Sequence, residues 1–427
     1  MRLPLLLAAI LLPAAVIHAQ DNQFSVGADL LQRGEVRLGG TAEGSTAEGD
    51  MAAFLLGRSR LNLSYQWKNM IETSVTAQYS GTWGSTGALS LYEGWLKFNP
   101  GKGFFIKAGR QDLSYDDLRI FGSDDWSMTG LSHDALKIGY EGHGHKVHLF
   151  GAFNQNASNI SGGTYYTGGL QPYKGMAALW YHYDFQKFPL GASLLFLNVS
   201  MQGGDKDVDE KTWHQQIVGT YLRFHPAKWN LEAAYYHQMG HAEDGLPIRA
   251  WMASGKLSFA PSPSVSLQLG YDYLSGDSKF ATPAQGQIGL TRHEVIRGFN
   301  SIYGSHHKFY GAMDFFYVST YVGGFTPGLQ NAYAGIMWNP VRNLKLNAAY
   351  HFLATAAKLE SADRPLGHEL ELSAGYNFLP NLGLSMGYSF MHGTQTMVML
   401  KRTSEKRNLN WVWVMLRYAP RFFQTRW

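Results

Sequence analysis

The 427-residue sequence has no cysteine. That excludes a disulfide framework and a thiolate metal site, and it fits an exported chain free of reactive thiols. Charge is sparse and balanced: 36 Lys and Arg against 32 Asp and Glu leave +4, too weak an excess over this length to point to nucleic acid. Long apolar runs are also missing. Only Leu3 to Ile17 comes near the roughly 20 residues that a spanning helix needs. No Pro, Gly or Ser-rich linker divides the chain, so a single domain is expected.

The opening segment MRLPLLLAAILLPAAVIHAQ has a basic Arg2, an apolar stretch and a small Ala19 before Gln20. These are the parts of a secretory signal, with cleavage expected after Ala19. Residues 1–19 are therefore read as a signal peptide and 20–427 as the exported mature domain.

What the chain does have is alternation. Arg58, Arg60, Asn62, Ser64 and Gln66 interleave with Leu61, Leu63, Tyr65 and Trp67, the period of a strand with one polar and one apolar face. The same dyad returns at 71–80, 344–352, 369–378 and 382–390, with aromatics gathered at strand ends. In a barrel that crosses a membrane, the apolar face meets lipid, aromatic girdles mark the interfaces and the polar face lines a lumen. The fold class expected is all-β, a transmembrane antiparallel β-barrel.

Turn chemistry sets the number of strands. Short reversals rich in Pro, Gly and Asn stand at WKNM (67–70), NPGKG (99–103), HGHK (143–146), FQKFP (185–189), HPAKW (225–229), APSPS (260–264), NPVRN (339–343) and LPNLG (379–383). Longer polar loops fall between them, at 39–51, 81–87, 112–131, 154–172, 201–211, 240–247, 275–327, 355–367 and 392–408. Eight turns and nine loops join about eighteen strands, with short periplasmic turns and long extracellular loops. Counting 306–318 as a strand would make the total odd. It is assigned to the long loop, with its apolar residues expected inside the barrel.

By parity the lumen carries Arg33, Arg37, Arg58, Arg60, Lys97, Lys137 and Lys345 against Asp29, Glu35, Glu72, Glu93, Glu141, Glu232, Asp272, Glu369 and Glu371. Wide pores select by rings of one sign. Seven cations against nine anions therefore predict weak ion selectivity, with one cationic patch on the first two strands.

Between two strands lies GRQDLSYDDLRIFGSDDWSMTGLSHDA (109–135), with six aspartates and two arginines. In a water-filled lumen such charges can pair with one another and with the wall, holding the loop as an internal constriction. This segment resembles the motif of alginate-export family outer-membrane porins, and RGFNSIYGSHHKFYGAMDFF (297–316) and LGHELELSAGY (366–376) resemble two further segments of that family. The resemblance implies an eighteen-stranded monomeric barrel whose long loops fold into the lumen, passing a polar or charged saccharide-like solute. It also places Arg110, Gln111, Asp117, Arg119, Asp125, Trp126, Asp134, His307, Lys308 and Asp314 at the constriction. Leu131 and His133 stand where the family pattern has an arginine and an aromatic residue, which removes a cation from that rim.

Other groups point to less. His143, His145 and His148 straddle a turn and read as a polar turn before a metal cluster. GDKDVDEK (204–211) does not have the spacing of an EF-hand. KRTSEKR (401–407) could meet lipopolysaccharide phosphates at the outer rim. The strand NLNWVWVMLRYAPRFF before Trp427 looks like a signal for the barrel-insertion machinery, and its facing is ambiguous because both parities carry large residues. Ser305 beside His306 and His307 gives no triad geometry, so an outer-membrane hydrolase is the weaker alternative. A plugged structural or adhesive barrel is another. No cofactor, metal or nucleic acid is expected.

Overall fold

The computed structural model describes residues 22–39, 51–155, 161, 163–166, 171–206, 208–281, 289–290, 294–317, 325–360, 362–401 and 408–427. The expected signal peptide lies outside these residues. Eighteen antiparallel staves make one sheet. They are β1 Asn22–Leu38, β2 Met51–Trp67, β3 Ile71–Thr82, β4 Ala88–Gly101, β5 Phe104–Gln111, β6 His133–Gly142, β7 His145–Phe153, β8 Gly175–Asp184 and β9 Leu190–Gly203. The circuit continues with β10 Lys211–Phe224, β11 Trp229–His241, β12 Pro247–Ser262, β13 Val265–Leu274, β14 Leu329–Val341, β15 Leu344–Ala354, β16 Pro365–Leu379, β17 Leu382–Gly393 and β18 Asn408–Tyr418, which runs on through Arg421–Arg426.

Each stave pairs with its chain neighbours, and β18 closes the circuit on β1. The closure reaches the ends: the Asn22 N–H donates to the Trp427 carbonyl at 3.0 Å, and the Trp427 N–H donates back at 3.1 Å. Pro420 interrupts β18 because it has no N–H for the ladder, and the register against β1 slips there, between Val26 and Gly27. A barrel so closed has no free sheet edge. Among the described residues there is one short helix, α1 Gln395–Lys401, after β17.

All eight expected turns link consecutive staves, and 306–317 carries no strand. Alternation fixes the facing. On β2 the Arg58 side chain is wholly buried inside while Leu61 is 47 % exposed outside. Outward residues around the circuit include Leu30, Val75, Leu96, Ile138, Leu194, Leu269, Tyr350, Leu372 and Val414. A continuous apolar belt of this kind would be a large exposed patch in water; acyl chains cover it without cost. The ambiguous β18 now has a facing. Leu409 and Trp411 are buried inward, while Val412, Val414 and Leu416 are exposed outward.

The interior is not uniformly polar. On β8 to β12 the inward faces carry Met176, Trp180, Leu195, Leu197, Val199, Ile217, Ala234, Ala250 and Met252, all buried. They form one cluster with Leu113, Ile120, Phe121, Phe299, Tyr303 and Phe315 from the segments 112–132 and 294–317. Both segments therefore fold inward and pack against one side of the barrel as a protein core.

Candidate pore constriction

The two inserted segments are bound to each other by their backbones. Phe121 and Tyr303 form a parallel bridge, the Gly122 N–H donates to the Tyr303 carbonyl at 2.9 Å, and the Ser305 N–H donates to the Leu118 carbonyl at 2.9 Å. The chain is forced into unusual conformations to do this. Of the ten non-glycine residues with positive φ among the described residues, six are Asp116, Leu118, Asp124, His307, Tyr310 and Asp314 in these segments. Such conformations cost about 1–3 kcal/mol each and persist only where the surroundings over-determine them. Gly311, at φ 93°, must be glycine, because a Cβ there would collide with the Glu369 carboxylate.

Arg119 sits at the centre. It donates to Asp117 at 2.9 Å, to the Tyr310 hydroxyl at 2.6 Å and to Asp272 of β13 at 2.6 Å, with its guanidinium 4.1 Å from the Phe309 ring centre. The wall continues the network: Asn331 donates to Asp272 at 2.9 Å and meets His351 at 2.9 Å. Tyr236 donates to Asp117 at 3.1 Å.

On the side of β1, β2 and β18 the wall supplies the cations. Asp125 lies 2.6 Å from Arg60, 3.1 Å from Arg58 and 3.6 Å from Arg417. Burial would raise its pKa, but these guanidiniums more than offset that and hold it below the usual carboxylate range. Arg58 also donates to the Asp125 carbonyl at 2.9 Å, and Arg33 to the Trp126 carbonyl at 2.8 Å. Trp126 stacks on His307 at 3.9 Å, presents an edge-on contact to Trp413 at 5.0 Å and carries Arg33 4.0 Å over its ring. On β16 the polarity is reversed. Glu369 and Glu371 accept the Met313 and Ala312 N–H groups at 2.9 and 2.6 Å, and His307 pairs with Asp314 at 2.9 Å.

Asp116 and Asp124, inside the first segment, pair with no arginine among the described residues. Burial, then the neighbouring Asp314, pushes Asp124 up to about 6; burial likewise pushes Asp116 up to about 6, even though it accepts the Trp180 indole N–H at 3.0 Å.

The structure thus brings Asp117, Arg119, Asp125, Trp126, His307, Lys308 and Asp314 into one assembly, with Lys308 donating to the Asp117 carbonyl at 3.1 Å. Gln111, at the end of β5, is wholly buried and donates to the Ala135 carbonyl of β6 at 2.9 Å. Arg110 and Asp134 are elsewhere. They pair at 2.6 Å in direct register, on the face that carries Leu136 and opposes buried Gln111, His133 and Ala135. That is the outside of the barrel, because alternation turns neighbouring residues to opposite faces.

Of the expected lumen residues, Glu35 binds Arg33 at 2.8 Å and Arg37 at 2.7 Å, and Glu93 accepts the Asp112 N–H at 3.2 Å. The parity count falls short, and Lys107, Lys256 and Arg417 are among the further cations that face inward. Tyr310 and Phe309, both bound to Arg119, had no signal beyond their place in a long loop. The three turn-region histidines disperse: His145 binds Tyr181, and His148 binds Glu141 and Tyr115. In GDKDVDEK, Lys211 pairs with Asp209 and Lys174 with Glu210; residue 207 and residues 402–407 of KRTSEKR lie outside the described residues.

Between the inserted segments and the wall from β10 to β16 lies a polar cavity of about 290 Å³. Its lining includes Lys256, Lys308, Glu232, Glu371, Tyr221 and Tyr333.

No family model matches the chain, and no curated protein matches it. Solved barrels do. Pseudomonas aeruginosa OpdO aligns with a TM-score of 0.64 at 11 % identity, over 94 % of this chain and 98 % of that one. P. aeruginosa OccK9 (OpdG) gives 0.63 at 14 %, over 93 % and 98 %, and Acinetobacter baumannii OccAB1 gives 0.63 at 12 %, over 94 % and 97 %. The chain has the Occ and Opd barrel fold. At such low identity the likeness is one of fold, and the residues of the constriction must be argued from this chain itself.

Proposed function

We propose that the protein is an outer-membrane porin passing small polar or charged, saccharide-like solutes through a lumen narrowed by residues 112–132 and 294–317. The observation that carries this reading is the polar cavity between those segments and the wall, inside a closed barrel with an apolar outer belt. The barrels it is similar to are outer-membrane porins. Solute class follows from the lining: tyrosines offer ring faces, while Lys256, Lys308, Glu232 and Glu371 offer donors and acceptors of both signs. A sugar with hydroxyl and charged groups suits such a mixture better than a polyanion.

The constriction is assigned to Gln111, Asp117, Arg119, Asp125, Trp126, His307, Lys308 and Asp314. The alginate-export likeness rests on three sequence motifs, and the balanced lining supports only a general saccharide channel. Enzymatic chemistry has little support, since the Ser305 hydroxyl accepts the Asp124 N–H at 3.2 Å and His306 stacks on Tyr317. We read the working form as a single copy, inserted by the barrel-insertion machinery through the apolar outer face of β18 and contacting lipopolysaccharide at its outer rim.

Planar-bilayer recording with neutral, acidic and basic oligosaccharides as blockers tests this. Wild-type protein should conduct, and deletion of 114–129 should raise the single-channel conductance. Unchanged conductance would put the segment outside the pore, and silence in both proteins would mean a plugged barrel.

A further inference from the structure

Three lysines stand side by side on the inner wall, on the periplasmic side of the constriction. Lys97 of β4 lies opposite Lys107 of β5, which lies opposite Lys137 of β6. Residues in direct register have Cβ atoms about 4.5–5.5 Å apart, and like charges so placed destabilise a sheet. The protein does little to relieve this by pairing. Lys97 alone has a carboxylate partner, Glu72 at 3.5 Å, and that oxygen also accepts from Asn99 at 2.8 Å.

Among the described residues, neither Lys107 nor Lys137 forms a hydrogen bond or ion pair. Each ammonium is instead set over an aromatic face: Lys107 Nζ lies 3.8 Å from the Trp95 ring centre and Lys137 Nζ 5.6 Å from that of Tyr115. Nearby carboxylates keep the region from being strongly positive, but each is engaged elsewhere. Glu93 takes the Asp112 N–H, Glu141 takes His148, and Asp112 takes the Ser114 hydroxyl.

We propose that Lys97, Lys107 and Lys137 form a station for a small multivalent oxyanion, of which inorganic phosphate is the simplest. Ammonium groups from three adjacent staves can converge on the oxygens of one tetrahedral anion. That exchanges mutual repulsion for charge-assisted hydrogen bonds, which are stronger than the cation–π contacts given up. An anion held there would be the first or last stop for a solute on the periplasmic side of the constriction. The inference rests on the porin reading in one respect, that the lumen is open to water.

The full-length protein in detergent is unfolded by heat with and without inorganic phosphate at constant ionic strength. Phosphate should raise the wild-type Tm by several degrees. The double variant Lys107→Gln/Lys137→Gln should start from a higher Tm in phosphate-free buffer, because a repulsion is gone, and should show no phosphate shift. Lys107→Arg, which keeps the charge, and Lys256→Gln, whose lysine pairs with Glu232 at 2.8 Å, should both keep the shift. No shift in wild type, or an equal shift in the double variant, overturns the site. In bilayers, phosphate should reduce the wild-type current and leave the double variant's current unchanged. A thermal shift from a protein that does not conduct would uphold the station and sink the porin reading instead.

Discussion

The inserted segments meet two very different walls. Toward β1, β2 and β18 the inner face is a set of arginines, and what it grips is a carboxylate and the three backbone carbonyls of residues 125–127. Toward β8 to β12 the inner face is Leu195, Leu197, Val199, Ile217 and Met252, and what it grips is a set of rings and aliphatic chains. The first grip is directional: Arg58 and Arg60 fix where Asp125 sits. The second is non-directional and proportional to the apolar area removed from water. A lumen lined only with the first would be a wet channel with loosely tethered loops. One lined only with the second would be a filled barrel. This chain has both, so a core on one flank carries the loops while charges on the other set their edge toward the bore.

The contrast can be broken from either flank. The largest effect is expected at Phe121, fully buried among Tyr115, Phe150 and Tyr303. Phe121→Ala should cost about 3–5 kcal/mol, read as a lower unfolding midpoint, with both segments losing hydrogen-exchange protection together because they share that core. Arg58→Ala removes hydrogen bonds from a buried guanidinium to two backbone carbonyls and a carboxylate, and a hydrogen bond involving a charged group is worth about 1.5–3 kcal/mol. Asp125 keeps Arg60, and Asp29 keeps Arg417. The loss should therefore stay within that range and expose residues 124–127 while the Phe121 flank remains protected; equal deprotection of both flanks would show that the two grips are not separate.

The smallest effect is a pH dependence. Asp116 faces the apolar flank and Asp124 lies near Trp126, and both are raised to about 6 from the ordinary 3.8. A raised carboxyl favours the folded state when protonated. Its contribution is complete below about pH 4 and is lost as pH rises through about 6. Loop fluctuations, seen as open-channel current noise, should therefore grow from pH 5 to pH 7. Asp125, held low by arginines, stays ionised across that window. Asp116→Asn and Asp124→Asn should each flatten part of the change, and noise that falls with rising pH would contradict the assignment.

Much of this architecture could be read in advance, and the reason is local. A turn such as NPGKG or WKNM reverses the chain by its own backbone preferences, and the two-residue period of a strand is set by the pleat. Counting turns was therefore enough for eighteen staves and for keeping 306–317 out of the wall. The site was harder. Arg110 and Asp134 were drawn in by a motif, although alternation from Leu136 turns them outward. Arg417 was missed because both faces of β18 carry large side chains. On β9 the sequence LLFLNV hides the period altogether, since loops from elsewhere in the chain make its inner face as apolar as its outer one.

By itself, then, the sequence determined the closed sheet, the sense of its two faces and the segments too long and polar to be turns, because these depend on neighbours in the chain. Only the tertiary structure decided that Arg119 meets Asp272 and Tyr310, that Trp126 lies on His307, and that three lysines share one level of the wall. Each of these joins residues distant in sequence or fixes a register between staves. Packing across the lumen sets them, and no local preference records it.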